Sequence, residues 1–581
     1  MKQRRVNLER LAWLIGSVAL ALAWLPPSRY PPWRTFDGEF LSAAVGVSLL
    51  LVAVLAGGSR AWHWPPAALA VLAVAIIPWL QWALGLVTYL GDAVIASAYL
   101  TGLATAIAVG YRLATAGATR STAFVDALML AIGIAAFVSC ALALAQWMRL
   151  QPRLGDLVSE LHPGSRPYAN LGQPNHLATL LGWGLMALWW AWLRRAVSAG
   201  AAVGGAAFLL IGLAATQSRT AWMFLALLPI ALWLLRKGLQ ASRAAAAVAA
   251  LGVGFIVLVV AWDRIDTALG LYVATPLSDR LEAGLRVRNW AILFDGLLHQ
   301  PISGYGWQQL HGALQAAMLD HASTRENLDH AHNLIIDILV WNGIPIGLII
   351  SIAGLAWWLR SGLSALRLSD NPAIAVLWIT ISIGLVHSML EYPHSYAYFL
   401  VPAGLMVGAI SGFANHERSI PTTGEALYSI PRSLMAVFAL AWVVLLGAIH
   451  HDYRNARALL EAWRYEVLAL ANPTPFSGGQ KPEIHLLTQV AAQLDPPRAV
   501  MGQIPTPEEL EELRRYSERF SVGQSLLEYA KAQVQAGDLV GARKSLQRMC
   551  WLVGPKGCDE LRAQWNQLSS GRWPELSVLR F

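Results

Sequence analysis

Polar and ionisable residues are concentrated in four short segments of an otherwise apolar chain, at 166–176, 217–220, 280–333 and 387–396. Arginine presents a planar fork that binds a phosphate group through two hydrogen bonds, whereas histidine and glutamate can accept a proton from an attacking hydroxyl group. These residue types suit the recognition and displacement of a phosphate-bearing leaving group. The candidate residues are Gln173, Asn175, His176, Arg219, Arg286, Arg288, His330, His332, Asn333, Glu391 and Tyr392.

Arg219 is the most informative of these residues, because a single arginine inside an apolar hairpin requires an anionic partner or a water-filled cavity. The alternative is that its side chain only extends to lipid headgroups. The other segments have similar alternatives: Gln173 and Pro174 are typical of a helix start, and Glu391 can simply end an apolar span. It is the occurrence of all four segments together that favours a functional site.

A metal site is only weakly indicated. His330 and His332 place their rings on opposite faces if the segment is extended, and no third ligand lies nearby in the sequence. The segments also contain no acidic pair that could hold a divalent cation against a diphosphate. We therefore expect no metal and no other cofactor, so that the arginines must carry the charge of the phosphate groups.

The composition indicates what kind of protein must position these residues. Of the 581 residues, 56% are hydrophobic and 13% are charged, whereas soluble domains carry about 25% charged residues. This excludes a soluble globular enzyme, a disordered protein and a fibrous protein. The 26 tryptophans suit membrane interfaces, and the net charge of +8 is typical of cytoplasmic loops rather than of nucleic-acid binding.

The hydropathy pattern predicts an all-α, polytopic membrane protein of about 13 transmembrane helices over residues 1–450. If the N-terminus is cytoplasmic, every short loop on that side carries lysine or arginine, as the positive-inside rule requires. The longer connections, including the proposed catalytic loop 263–332, then lie on the periplasmic side with all four polar segments. The predicted spans are 8–25, 39–57, 66–82, 92–111, 123–146, 174–193, 200–216, 219–235, 244–262, 333–359, 373–391, 394–412 and 433–450.

The C-terminal tail, 451–581, has a different composition: it contains 31 charged residues, against 47 in the first 450. It is expected to be a soluble, helical, periplasmic domain. Thr506 precedes Pro-Glu-Glu, which predicts a helix N-cap, and 526–546 resembles one tetratricopeptide-type helical hairpin. In an oxidising compartment, Cys550 and Cys558 are expected to form a disulfide, and Cys140, inside a span, is expected to stay free.

Several motifs resemble the bacterial O-antigen ligase and polymerase superfamily. They are Ser218-Arg219, Arg286-x-x-x-Trp290 followed by Pro301-x-x-Gly304-x-Gly306, and His330-x-His332-Asn333 leading into a span with Asn342-Gly343. Two further segments look like the pilin-glycosylating O-oligosaccharyltransferases of the PglL type. These are Gln173-Pro-Asn-His176-Leu-Ala-Thr and His387-Ser-x-Leu-Glu391-Tyr-Pro-His-x-Tyr.

This resemblance implies transfer of a glycan from undecaprenyl diphosphate to a Ser or Thr hydroxyl of a pilin-like protein, at the periplasmic face of the inner membrane. It implies that Arg219 and Arg286 bind the diphosphate and stabilise its departure. His332 would activate the hydroxyl or position the donor. Gln173, His176 and Tyr392 would shape the acceptor or sugar site.

Three alternatives remain open from the sequence. The first is a ligase that joins O-antigen to lipid A core, or an O-antigen polymerase. The second is a transporter of a lipid-linked glycan, which is expected to carry ionisable residues near mid-membrane, whereas Asp337 lies only about one turn into its span. The third is a non-catalytic assembly protein whose tail recruits partners.

Overall fold

The computed structural model describes residues 2–28, 31–56, 62–162, 165–224, 241–271, 284–368, 371–417, 429–467 and 483–581. These residues are overwhelmingly helical, which confirms the predicted all-α class. The only strands among them, β1 (Trp62–His63) and β2 (Ser429–Ile430), pair antiparallel with Trp62 opposite Ile430.

The helices are labelled here in chain order. The first ten are α1 (Lys2–Leu22), α2 (Phe36–Ala56), α3 (Pro66–Ala75), α4 (Ile77–Ala83), α5 (Leu90–Ala114), α6 (Ala118–Trp147), α7 (Gln151–Leu154), α8 (Pro174–Leu193), α9 (Ala199–Thr216) and α10 (Ala241–Ala268). The next ten are α11 (Gly284–His299), α12 (Leu310–Ala317), α13 (Leu334–Arg367), α14 (Pro372–Ser388), α15 (Ala397–Glu417), α16 (Arg432–Val467), α17 (Thr488–Leu494), α18 (Pro507–Arg519), α19 (Gly523–Gln535) and α20 (Leu539–Ser570). Short 3-10 helices are formed by Gly155–Leu157, Met318–Asp320, Pro393–Ser395 and Pro574–Val578.

Nine of the helices in the described residues are long and apolar enough to cross a membrane, and two more apolar helices, Leu11–Leu22 and Pro372–Ser388, are shorter. Apolar side chains on α10 also remain exposed: Val253, Val257 and Val260 are 59–67% accessible, as expected for a surface that faces lipid. The protein is therefore a polytopic membrane protein. The count of thirteen spans stays a prediction, because span 219–235 lies largely outside the described residues.

One predicted span differs in form. The stretch 66–82 is divided into α3 and α4 at Ile76, one residue before α4 begins. Pro78 occupies the first turn of α4, where its missing N–H costs nothing, whereas in a continuous helix it would remove a hydrogen bond and clash with the preceding turn.

The described chain divides into two compact units. The first unit consists of Met1–Val74, Ala98–Leu281 and Gly354–His450, and the second consists of Ala75–Ser97, Glu282–Ala353 and His451–Phe581. The charged tail is thus grouped with the loop segment that carries the His-x-His motif. Each unit holds its own set of candidate residues.

Small residues allow close helix packing in the first unit. A Cβ atom at Gly184 of α8 would lie 2.4 Å from the Cβ of Ala136 in α6. Such close approach is the usual mode of association between membrane helices, where burial of apolar surface supplies little driving force. It fixes α8, whose N-cap residue and first turn carry Gln173, Asn175 and His176.

In the second unit, the glycines of the Pro301-x-x-Gly304-x-Gly306 motif form a turn against a kink in α13. Gly304 and Gly306 have φ values of +63° and +98°, and Gly343 in the kink has a φ of +74°. The N–H of Tyr305 donates to Val340 O at 2.9 Å. A Cβ at Gly304 would lie 2.5 Å from this carbonyl oxygen, so a larger residue does not fit. The motif therefore braces the helix that follows the His-x-His segment.

The tail contains the predicted local features. Thr506 and Glu509 form a reciprocal capping box at α18. The predicted hairpin is present as α19, a turn, and α20, with Asp538 accepting a hydrogen bond from Gly541 N at 2.8 Å. Its tetratricopeptide character stays a prediction.

The cysteine predictions are confirmed. Cys550 and Cys558 form a disulfide on either side of Gly554, where α20 is kinked with a φ of +76°. Cys140 is free and buried.

Candidate active site

In the first unit, the buried carboxylate of Glu391 connects two of the polar segments, 166–176 and 387–396. Gln173 is the N-cap residue of α8 and has an extended backbone, and Pro174 opens the helix. This start directs two amide side chains towards Glu391, which is only 3% exposed. Its carboxylate oxygens accept hydrogen bonds from Asn175 Nδ2 at 2.8 Å and from Gln173 Nε2 at 3.2 Å. The helix start that Gln173 and Pro174 indicate therefore occurs, together with a polar contact that the sequence did not predict.

The same network reaches the segment that contains Arg219. Asn175 Oδ1 accepts a hydrogen bond from Ser218 Oγ at 2.7 Å, and Ser218 Oγ in turn accepts from Thr220 N at 3.2 Å. Ser218 and Thr220 are buried, whereas the arginine between them is exposed. We call Gln173, Asn175, Ser218 and Glu391 the glutamate cluster. Its effect is to fix the backbone on both sides of a displayed guanidinium group.

His176 lies beneath this cluster in a wall of aromatic rings. Its side chain is fully buried, with ring centres 4.4 Å from Tyr396 and 5.7 Å from His387. Among the described residues, its Nε2 has no hydrogen-bond partner. Tyr392 stacks on Tyr396 with ring centres 6.1 Å apart.

In the second unit, α11 and the start of α13 hold the His-x-His segment from two sides. Trp290 Nε1 donates to Ala331 O at 2.7 Å, and Ala331 N donates to Asp337 Oδ1 at 2.7 Å. The backbone of Ala331, between the two histidines, thus both accepts and donates a hydrogen bond. Asp337 lies in the first turn of α13, as expected, and its side chain is completely buried. We call residues 329–333 the histidine loop.

The two histidines differ in their surroundings. His330 Nδ1 lies 3.5 Å from Asp337 Oδ2, and its ring centre is 5.9 Å from that of Trp341. His332 is half-buried and has a φ of +53°, so the segment is not extended through this residue. The condition for two rings on opposite faces, an extended segment, is therefore not met, because the left-handed residue turns the chain into α13.

Asn333 has a structural contact within the loop. Its side-chain oxygen accepts hydrogen bonds from Ile335 N at 3.1 Å and from Ile336 N at 3.2 Å, which caps the N-terminus of α13.

Arg286 and Arg288 both lie in the first turns of α11, and the structure separates their positions. Arg286 is four residues from Trp290 and therefore on the same face of the helix. It is half-buried, whereas Arg288 is exposed on another face. The four-residue spacing places Arg286 on the face that contacts the histidine loop.

Sequence reasoning did not assign roles to the residues that position these groups. Asp337 carried a usable signal, because a carboxylate in the first turn of an apolar span requires a polar partner. The sequence gives no such signal for Glu326, which accepts a hydrogen bond from Asn289 of α11. This residue lies in an irregular loop whose path depends on packing.

The candidate residues all fall within regions that match known families. A family described as "Protein glycosylation ligase" matches residues 167–192, "O-Antigen ligase" matches 204–352, and "Virulence factor membrane-bound polymerase, C-terminal" matches 375–556. The first includes the start of α8, the second spans Arg219 to the histidine loop, and the third includes Glu391.

Two relatives from Acinetobacter baylyi extend this similarity. The chain is 30% identical over 479 residues to a general O-oligosaccharyltransferase, covering 78% of this chain and 79% of that protein. It is 34% identical over 253 residues to a ComP-specific O-oligosaccharyltransferase, covering 42% and 44% respectively. The fold and the matched regions define a membrane protein of the O-antigen ligase superfamily. Within it, the chain belongs to the O-oligosaccharyltransferase family of the PglL type.

Proposed function

We propose that the protein transfers an oligosaccharide en bloc from undecaprenyl diphosphate to a Ser or Thr hydroxyl of a pilin-like protein, at the periplasmic face of the bacterial inner membrane. The observation that carries this proposal is the similarity to the general O-oligosaccharyltransferase over more than three quarters of both chains. The displayed Arg219 and the braced histidine loop supply the residue types that such a transfer requires.

In the proposed reaction, the bond between the anomeric carbon of the sugar and the diphosphate oxygen breaks. A new bond forms between this carbon and the acceptor hydroxyl oxygen, and His332 takes the hydroxyl proton. Arg219 and Arg286 bind the departing diphosphate, whose negative charge increases as the bond breaks. Because the diphosphate is already a good leaving group, positioning and charge stabilisation suffice without a metal or a strong general acid.

The surroundings of His332 support this assignment. Its neighbours are fixed by Trp290 on one side and by the cap of α13 on the other. A ring held on such a backbone can keep its orientation towards a bound hydroxyl group. His330, which faces the buried Asp337, instead helps to hold the loop.

The test is coexpression with a lipid-linked glycan pathway and a set of pilins, followed by intact-mass measurement of each pilin. The wild-type protein should add the mass of the complete glycan, whereas His332→Ala should add none. The matched control is His299→Ala, which removes an exposed histidine at the end of α11 and should behave as wild type. Pilins that keep their unmodified mass with the wild-type protein would contradict the proposal.

A second candidate function is transfer of the glycan to lipid A core, or extension of a lipid-linked glycan. It is favoured by the two matched regions named for an O-antigen ligase and a membrane-bound polymerase. The same cells distinguish the two functions. Transfer to a lipid acceptor would attach glycan to lipopolysaccharide and leave every pilin unmodified.

A further inference from the structure

The second unit contains a cleft outside the glutamate cluster and the histidine loop, which we call the tail cleft. It has a volume of about 420 Å³, within the usual range for ligand pockets of about 300–1,000 Å³. Its walls come from α12, the loop before the histidines, and the tail. The lining residues that matter here are His311, Asp329, Gln493, Tyr516, Phe520 and Gln524.

The position of the tail cleft connects it with the proposed chemistry. Asp329 lines the cleft, is the first residue of the histidine loop, and has a side chain that is 83% exposed. A ligand in the cleft would therefore lie beside the segment that carries His330 and His332. None of the lining residues belongs to a candidate membrane span.

One ring nitrogen of a buried histidine in the wall has no close hydrogen-bond partner among the described residues. The His311 side chain is only 3% exposed, and its Nε2 forms no hydrogen bond with any described residue, the carboxylate of Asp329 being 3.8 Å away. Burial lowers the pKa of His311 despite the opposing effect of Asp329, so the ring is neutral at neutral pH. Buried polar groups are normally satisfied, and a ligand in the cleft could supply the missing hydrogen bond.

The aromatic residues of the cleft are already engaged with one another. The ring centre of Phe520 lies 5.1 Å from that of Tyr516 and 5.9 Å from that of Tyr89, and the Arg519 guanidinium lies 4.9 Å from it. Sugar rings are usually held against a free aromatic face, and these contacts reduce the face that is available. The aromatic side of the cleft instead offers an apolar wall.

The polar side of the cleft carries three neutral amides beside the charged side chains of Asp329, Arg498 and Glu528. Gln493 and Gln524 are exposed and can each donate and accept hydrogen bonds, as can Asn327. Alternating donors and acceptors beside an apolar wall match a polypeptide, whose backbone offers an N–H and a C=O group at each residue. A saccharide is less well matched because of the occupied aromatic faces.

We propose that the tail cleft binds a segment of the acceptor polypeptide and so places its Ser or Thr hydroxyl beside the histidine loop. This inference rests on the proposed function and adds where the acceptor binds. The tail thereby acts as an acceptor-recognition domain, and the glycan donor is recognised elsewhere.

The test uses the purified full-length protein in detergent, a lipid-linked oligosaccharide, and the pilin that is modified in the coexpression experiment. Gln493→Trp and Gln524→Trp fill the cleft from two sides, and both replace exposed residues, so folding should be retained. Gln564→Trp is the matched control on an exposed position of α20. We expect the KM for the pilin to rise about tenfold in the two cleft variants, as for loss of a binding hot spot. The kcat and the KM for the donor should stay within about twofold of wild type.

Three kinetic results would overturn the inference. A raised KM for the donor would show that the glycan occupies the cleft, unchanged kinetics would show that nothing in the reaction binds there, and a loss confined to kcat would indicate disturbance of the histidine loop. Photo-crosslinking from p-benzoylphenylalanine at position 524 is a measurement that does not need turnover. A crosslink to the purified pilin supports the inference, and its absence contradicts it even if transfer itself fails.

Discussion

Arg219 is exposed between two buried residues, Ser218 and Thr220, whose hydroxyl and backbone groups are hydrogen-bonded to each other and to Asn175. Arg219→Lys keeps the positive charge but loses the planar fork that binds phosphate through two hydrogen bonds. We expect transfer to fall roughly 100-fold with normal membrane expression, as for loss of one transition-state hydrogen-bond donor. The measurement is the rate of glycopilin formation.

Arg195→Lys is the control for this substitution, because Arg195 is an exposed arginine in the loop between α8 and α9. It should transfer glycan at the wild-type rate. If Arg219→Lys is equally active, the guanidinium only reaches lipid headgroups, and the phosphate-binding role is wrong.

The two histidines of the loop should behave differently. His332→Ala should abolish transfer, whereas His330→Ala should lower it and leave a measurable rate, because Asp337 still binds Ala331 N. A methyl group cannot take over the role of a ring that accepts the hydroxyl proton.

Single-turnover rates of glycopilin formation for both variants measure this difference. A dead His330→Ala with an active His332→Ala would show that the roles are exchanged. If both variants are active, the histidine loop takes no part in the chemistry.

The residue types of the site could be predicted from the sequence, but their contacts could not. Arginine, histidine and glutamate stand out because they are costly near a membrane. The hydrogen bond between Asn175 and Ser218 joins positions 43 residues apart, and it depends on how α8 and α9 pack. The left-handed backbone at His332 could not be predicted, because no local pattern signals a left-handed histidine.

Asp92 in the first turn of α5 and Arg519 at the end of α18 join two elements of the second unit. Arg519 Nε and Nη2 donate to the two carboxylate oxygens at 2.9 and 2.8 Å, and the side chains are only 14% and 1% exposed. Arg519→Met leaves a buried carboxylate without this partner. We expect a loss of about 3–5 kcal/mol in the free energy of unfolding of the second unit.

Thermal unfolding of the purified protein, or proteolysis of the tail, measures this effect. Arg515→Met removes a more exposed arginine four residues earlier and should cost little. The double variant Asp92→Leu with Arg519→Met should be more stable than Arg519→Met alone, because no uncompensated charge remains. If the single variant is as stable as the Arg515→Met control, the ion pair does not hold these elements together.

Helix positions were predicted better than helix ends. The predicted span 174–193 coincides with α8, whose start is marked by Pro174. The predicted span 433–450 continues as α16 to Val467, because hydropathy marks where a helix leaves the membrane and not where its hydrogen bonds stop. Charged residues such as Arg454 and Arg457 are compatible with a helix that extends into water.

At the scale of the whole molecule, sequence composition separated a membrane part from a charged tail, but it did not show that the tail forms one compact unit with 282–353. That grouping depends on long-range contacts, such as the hydrogen bond from Trp551 Nε1 to His321 O at 3.0 Å. Because the tail and the histidine loop belong to the same unit, a change in the tail can affect the loop through such contacts.

The orientation in the membrane decides which side of the membrane carries the four polar segments. Basic residues in every short loop on the N-terminal side predict a cytoplasmic N-terminus and a periplasmic tail, and the Cys550–Cys558 disulfide fits an oxidising compartment. Alkaline phosphatase, which is active only in the periplasm, should therefore be active when fused after residue 455 and inactive when fused after residue 195. A cytoplasmic reporter such as β-galactosidase at the same two positions should give the opposite pattern. Active phosphatase at residue 195 together with inactive phosphatase at residue 455 would place the arginines and histidines in the cytoplasm, where a periplasmic pilin could not reach them.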